Sequence, residues 1–143
     1  MPTTVFAAML VATVVVGLVL PSRILDHWVV TLVAAAAIVA GVVLNLWSDR
    51  QLKEARTTVK PDERPTALVA TGAYRLTRNP MYVGMAAILG GVALVLGSLP
   101  AMVFALAYCL AIQRWFVRRE EASMAAAFGA AYEEYRRAVR RWV

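Results

Sequence analysis

Residues 5–20 carry no ionisable side chain, and residues 28–47 contain only Asn45 as a strongly polar member. Each stretch is close to the ~20 apolar residues an α-helix needs to cross a ~30 Å hydrocarbon core. Lipid offers no partner to a free backbone N–H or C=O, so segments of this kind must be helical or part of a closed barrel. Two further apolar stretches cover residues 81–97 and 99–117. Only Ser98 separates them, and Leu99-Pro100 follows, a spacing that predicts a tight helical hairpin. The expected architecture is an all-α integral membrane protein: a single domain over 1–143 with about four transmembrane helices. A loop over 48–79 and a C-terminal amphipathic helix over 118–142 complete it.

Composition excludes the main alternatives. Hydrophobic residues make up 61% of the 143 and charged residues 17%, against about 45–50% and 25% in soluble domains. No strand–Gly-rich turn–helix signature of a dinucleotide-binding domain is present. A single Cys109 and a single His27 leave no disulfide framework and no cysteine- or histidine-built metal site. The opening Met1-Pro2-Thr3-Thr4 lacks the basic start of a cleaved signal peptide.

The basic residues set an orientation. Arg50, Lys53, Arg56, Lys60, Arg64, Arg75 and Arg78 fall between the second and third spans. Arg114, Arg118, Arg119, Arg136, Arg137, Arg140 and Arg141 fall at or after the end of the fourth, and only Arg23 lies elsewhere. The positive-inside rule places that side, and both termini, in the cytoplasm. Trp28 at one level and Trp47 and Trp115 at the other fit interfacial anchors. The net charge of +6 then faces anionic lipid headgroups rather than nucleic acid. Asp26 is the only acidic residue of nine outside the cytoplasmic segments, so any chemistry belongs at the cytoplasmic boundary of a cell membrane.

Small residues at helix-packing spacing, Ala86 with Gly90, Ala87 with Gly91 and the Ala34–Ala37 run, suit close backbone approach. The stretch Asp49–Arg56 either extends the second helix or lies along the headgroups. Two cytoplasmic motifs stand out, and each has a purely structural account. In Arg75-Leu-Thr-Arg78-Asn79-Pro80-Met-Tyr82-Val-Gly84, Asn79 suits an N-cap and Pro80 the first helical position. Arg75 and Arg78 would then be interface charges and Tyr82 an aromatic-belt residue. Glu120-Glu121 would belong to a solvated charge lattice, and Met124, Phe128, Tyr132 and Tyr135 would line one face of an amphipathic helix.

The functional account rests on the motifs occurring together. A helix N-terminus holds anions, arginine binds carboxylates bidentately, and Gly84 leaves room beside the helix. If the third and fourth spans form a hairpin, two carboxylates face these arginines at one height. That arrangement suits a ligand with an ammonium, a carboxylate and ribose hydroxyls.

The ordered pattern Gly72-x-Tyr74-x-x-x-Arg78-Asn79-Pro80-x-Tyr82-x-Gly84, a hydrophobic hairpin, Glu120-Glu121 and Phe128-Gly129-x-x-Tyr132-x-x-Tyr135 resembles the isoprenylcysteine carboxyl methyltransferase and phospholipid methyltransferase superfamily. The resemblance runs from Thr57 to Trp142. It implies a membrane enzyme using S-adenosylmethionine (SAM). Tyr74, Arg78, Asn79, Pro80, Tyr82 and Gly84 would form the first cofactor motif, and Glu120 and Glu121 the second. Arg78 and Glu121 are the residues it puts at the chemistry. Which group holds the amino-acid end and which the ribose or adenine stays open.

Asn79 stands where the eukaryotic carboxyl methyltransferases usually have histidine, so no titratable base exists at that position. The acceptor implied is lipophilic or membrane-associated: a prenylated-cysteine carboxylate, a phospholipid amine or a small thiol. A carboxylate or thiolate needs only placement by Arg75 or Arg78, whereas an amine must lose a proton to Glu120 or Glu121. Two other classes compete. A small four-helix transporter needs an ionisable residue inside the membrane, and the first two spans have none. A non-catalytic membrane subunit would keep the hairpin and lose cofactor affinity.

Overall fold

A computed structural model describes residues 1–22, 27–58 and 65–143. The expected positions of Arg23 and Asp26 in the first loop, and of Lys60, Pro61 and Arg64 in the second, lie outside the described residues. Among the described residues there are seven α-helices: α1 (Pro2–Val19), α2 (Trp28–Glu54), α3 (Ala73–Leu76), α4 (Pro80–Val95), α5 (Leu99–Ile112), α6 (Arg118–Phe128) and α7 (Ala130–Ala138). No strand occurs among the described residues. This is an all-helical, multi-pass membrane protein.

Among the described residues, three helices are long and apolar enough to span a bilayer: α1, α2 and the continuous helix Leu99–Phe128. The apolar part of that last helix ends at Val117, where Arg118-Arg119-Glu120-Glu121 begins. The fourth, α4, is apolar but has only 16 residues, and stops two short of the expected 97. Its turn at Gly97 has φ +59°, which glycine adopts without a Cβ penalty. It is also the central helix, packed by α1, α2 and α5. Pro80, Tyr82, Gly84, Met85, Leu89, Gly91 and Ala93 are all buried.

Close backbone contact holds α4 against α2. A Cβ on Gly84 would lie 2.6 Å from the Gly41 carbonyl oxygen, and one on Gly41 2.5 Å from that of Gly84. A Cβ on Gly91 would lie 2.8 Å from the Ala34 carbonyl oxygen. Without a hydrophobic drive between helices in lipid, such close contact is what supplies dispersion energy. The expected Ala34 and Gly91 therefore take part, but Gly90 has nothing within 4 Å. Three polar side chains in α1 and α2 are satisfied within their own helices. Thr13 Oγ1 donates to the Met9 carbonyl, Asn45 Nδ2 to that of Gly41 and Ser48 Oγ to that of Leu44.

The helix α2 runs on to Glu54, which settles the Asp49–Arg56 alternative in favour of helix extension. Two local features then shape the end of the bundle that carries Glu120 and Glu121. Residues Gln113–Val117 form a π-helical turn between α5 and α6. Its wider turn lets Ile112 and Val117, five apart, both face the core. Further on, the expected single helix over 118–142 is broken into α6 and α7. Gly129, at φ +51°, is the break, because this backbone conformation strains any residue with a Cβ. Met124, Phe128, Tyr132 and Tyr135 still gather in one apolar cluster with Leu52 and Tyr74. After α7, Val139 is extended, and the tail to Trp142 lies back across the start of α4.

Candidate active site

The turn before α4 is built by side chains from distant segments. Gln51, near the end of α2, donates from Nε2 to the Thr71 carbonyl at 3.0 Å and accepts from the Ala73 N–H at 2.9 Å. Gly72 sits between them with φ +55°. Tyr135 donates its hydroxyl to the Tyr74 carbonyl at 2.7 Å, docking α7 on α3.

Asn79 occupies the N-cap position and Pro80 the first helical position, as the sequence suggests, but the Asn79 side chain makes no cap bond. Its Nδ2 instead donates to the Arg141 carbonyl at 3.0 Å. Thr77 Oγ1 donates to the same carbonyl at 2.9 Å, and the Arg78 N–H to that of Arg140 at 2.9 Å.

The two sequence motifs meet. Tyr82 donates its hydroxyl to Glu120 Oε1 at 2.5 Å. Arg78 Nη1 lies 3.0 Å from Glu121 Oε1. Arg141 holds Glu121 side-on, Nε to Oε1 at 3.0 Å and Nη2 to Oε2 at 2.6 Å. The second arginine facing the acidic pair is thus Arg141, while Arg75 is exposed on α3.

The Arg78 side chain is only 10% exposed. Its contact with Glu121 has the distance of an ion pair but not the alignment of a hydrogen bond, and its Nε and Nη1 find no hydrogen-bond partner among the described residues. Buried guanidinium donors left open in this way cost on the order of 1–3 kcal/mol or more, so they point to an absent acceptor.

These side chains wall a cleft with two adjoining lobes. A tight inner lobe of about 50 Å³ is lined by Glu121, Met124, Tyr132 and Tyr135 among others. The wider lobe, about 290 Å³, is lined by Pro80, Met81, Tyr82 and Met85 of α4, with Met1, Pro2 and Thr3 at the start of α1. Tyr74, Arg78, Asn79 and Glu120 border both. Burial pushes the Glu120 carboxyl up to about 7, against the hydrogen bond from Tyr82, which lowers it. Burial likewise raises the Tyr74 and Tyr135 hydroxyls, so both stay neutral donors.

Of the residues expected in the two cofactor motifs, Gly84 alone lies outside the cleft, and Arg75, the other arginine expected to place the acceptor, lies outside it too. The space beside Gly84 is filled by the Asn45 side chain and the Gly41 carbonyl, so this glycine serves helix packing. Arg141 and Gln51 were not singled out from sequence. Arg141 sits in a basic run that reads as interface charge, and Gln51 carries no local signal.

The fold and the site together define a helical membrane bundle with an arginine–carboxylate cleft at one end of its spans. The family model for phospholipid methyltransferases matches residues 29–131. The chain belongs to that family, within the wider isoprenylcysteine carboxyl and phospholipid methyltransferase superfamily, and is a methyltransferase of the SAM-dependent kind. The match covers both motifs and ends before Arg140 and Arg141. Neither the curated proteins nor the solved structures give a match.

Proposed function

We propose that the cleft between the start of α4 and the start of α6 binds SAM and that the protein methylates a lipophilic acceptor drawn from the cytoplasmic leaflet. The observation that carries this reading is Arg78, buried with two open donors beside Glu120 in a cleft large enough for a ligand. The residues fit a zwitterion. Arg78 offers paired N–H groups to a carboxylate, and Glu120, its Oε1 fixed by Tyr82, turns its other oxygen to a cationic group. Tyr74, Asn79 and Pro80 line the same wider lobe.

Bound SAM supplies a methyl group already activated on a sulfonium. The protein's share is then alignment and exclusion of water. The apolar wall of Met81, Met85 and Pro80 keeps the wider lobe dry on the side where the acceptor would enter. Of the acceptor classes, only an amine must shed a proton. Glu120 is the carboxyl placed to take it, because Arg141 occupies both oxygens of Glu121. The positive-inside asymmetry supports placing the cleft and both termini on the cytoplasmic side.

Calorimetric titration of the purified protein with SAM, and with its demethylated product, tests the reading. Saturable heat is expected; a folded sample giving none overturns it. Turnover assays with a prenylated-cysteine carboxylate, a phospholipid amine and a small thiol then identify the acceptor.

A further inference from the structure

The C-terminal tail is bonded to the turn that borders the cleft. Three hydrogen bonds from Thr77, Arg78 and Asn79 to the carbonyls of Arg140 and Arg141 register it on the turn that carries Arg78. Trp142 packs on the core formed by Tyr82, Met85 and Tyr108. Anchored this way, the tail presents the Arg141 guanidinium to both oxygens of Glu121.

Glu121 is 15% exposed. A carboxylate that buried needs a cationic partner, and two arginines compete for it. Arg141 has the aligned, bidentate geometry, whereas Arg78 has only an unaligned contact.

We propose that Arg141 is a positioning residue: by taking the aligned bonds to Glu121, it stops Arg78, which already touches that carboxylate, from aligning on it and so keeps the Arg78 donors open for the ligand. This rests on the SAM reading above. It assigns the two acidic residues different tasks. Glu120 meets the ligand, and Glu121 is the counter-charge of the tail. Without Arg141, Arg78, already 3.0 Å from Glu121 Oε1, would turn its donors into bidentate alignment on that carboxylate, and the anion subsite would close on itself.

The test is a double-mutant cycle read by calorimetry with SAM. Arg141→Gln should weaken binding roughly tenfold, the equivalent of one charge-assisted contact. The tail should stay docked, because its backbone bonds and Trp142 do not involve the Arg141 side chain. Glu121→Gln alone should weaken binding less than Arg141→Gln does, because it leaves Arg78 no carboxylate to align on. Combined with Arg141→Gln, it should restore most of the lost affinity, because no carboxylate remains to capture Arg78. A tail acting only as structure would give no such rescue. Arg141→Lys, which keeps the charge but not the fork, should fall between, and it serves as the second probe should Arg141→Gln lower the melting temperature.

Unchanged affinity in Arg141→Gln, or a double variant no better than the single one, overturns the proposal. So does loss of binding in Glu121→Gln alone. A wild-type protein that binds no SAM is a different failure, that of the cofactor reading itself.

Discussion

Tyr82, in the first turn of α4, donates its hydroxyl to Glu120 Oε1 at 2.5 Å across 38 residues of sequence. That bond ties the entry of one hairpin helix to the exit of the other, and it fixes one oxygen of a carboxyl that burial pushes up to about 7. Tyr82→Phe should therefore cost more than a surface hydrogen bond. Hydrogen bonds to charged groups contribute about 1.5–3 kcal/mol, so SAM affinity at neutral pH should drop by roughly ten- to a hundredfold. Titration of the variant checks it; an unchanged dissociation constant would mean that Glu120 does not contact the ligand.

Affinity for SAM should fall as the pH is lowered through about 7. The sign follows from the cause: burial favours the neutral carboxyl, so below that pH Glu120 is protonated and its attraction for a cation is lost. Binding near pH 7 should also release a proton, visible as a dependence of the measured heat on buffer ionisation enthalpy. Glu120→Gln should bind weakly with no such dependence. A wild-type profile that is flat across neutrality would contradict the assignment.

Arg78→Lys should be nearly as damaging to SAM binding as Arg78→Ala, on the order of tenfold or more. An ammonium cannot reproduce the paired donors of a guanidinium. Both variants should stay folded, because Arg141 still neutralises Glu121. Circular dichroism and thermal melting in detergent separate lost binding from lost structure, and wild-type affinity in Arg78→Lys would argue against bidentate recognition.

The contact between α2 and α4 predicts a contrast among glycines. Gly84→Ala or Gly91→Ala would drive a methyl against the backbone of α2, and overpacking of this kind costs about 1–3 kcal/mol. Gly90→Ala meets open space and should be neutral or mildly stabilising, since alanine is the better helix former. Equal melting temperatures for Gly84→Ala and Gly90→Ala would rule out the close packing described.

Much of this was legible one residue at a time. The charge-free runs dictated helices because lipid leaves an unpaired backbone group no partner. Pro80 after Asn79, and Ser98 before Leu99-Pro100, marked two helix starts. The pairing of the Asn79 turn with Glu120-Glu121 could be anticipated because one short hairpin must bring its two ends to the same height.

What no local pattern announced was decided by the packed bundle. Gly129 broke the C-terminal helix because nothing in the amphipathic periodicity distinguishes a continuous helix from two pieces that share a face. The π-helical turn at Gln113–Val117 rephased the last helix without any visible signature in sequence. Asn79 has the chemistry of an N-cap, yet its amide bonds to Arg141, 62 residues on. Arg75 and Arg141 look alike as basic residues near a membrane, and only the path of the tail put one in solvent and the other on Glu121. Periodicity, capping and span length act within a few turns of chain, so the sequence by itself determined the helices and their membrane character. Which charge meets which depends on distances between segments far apart along the chain, and those exist only once the bundle has closed.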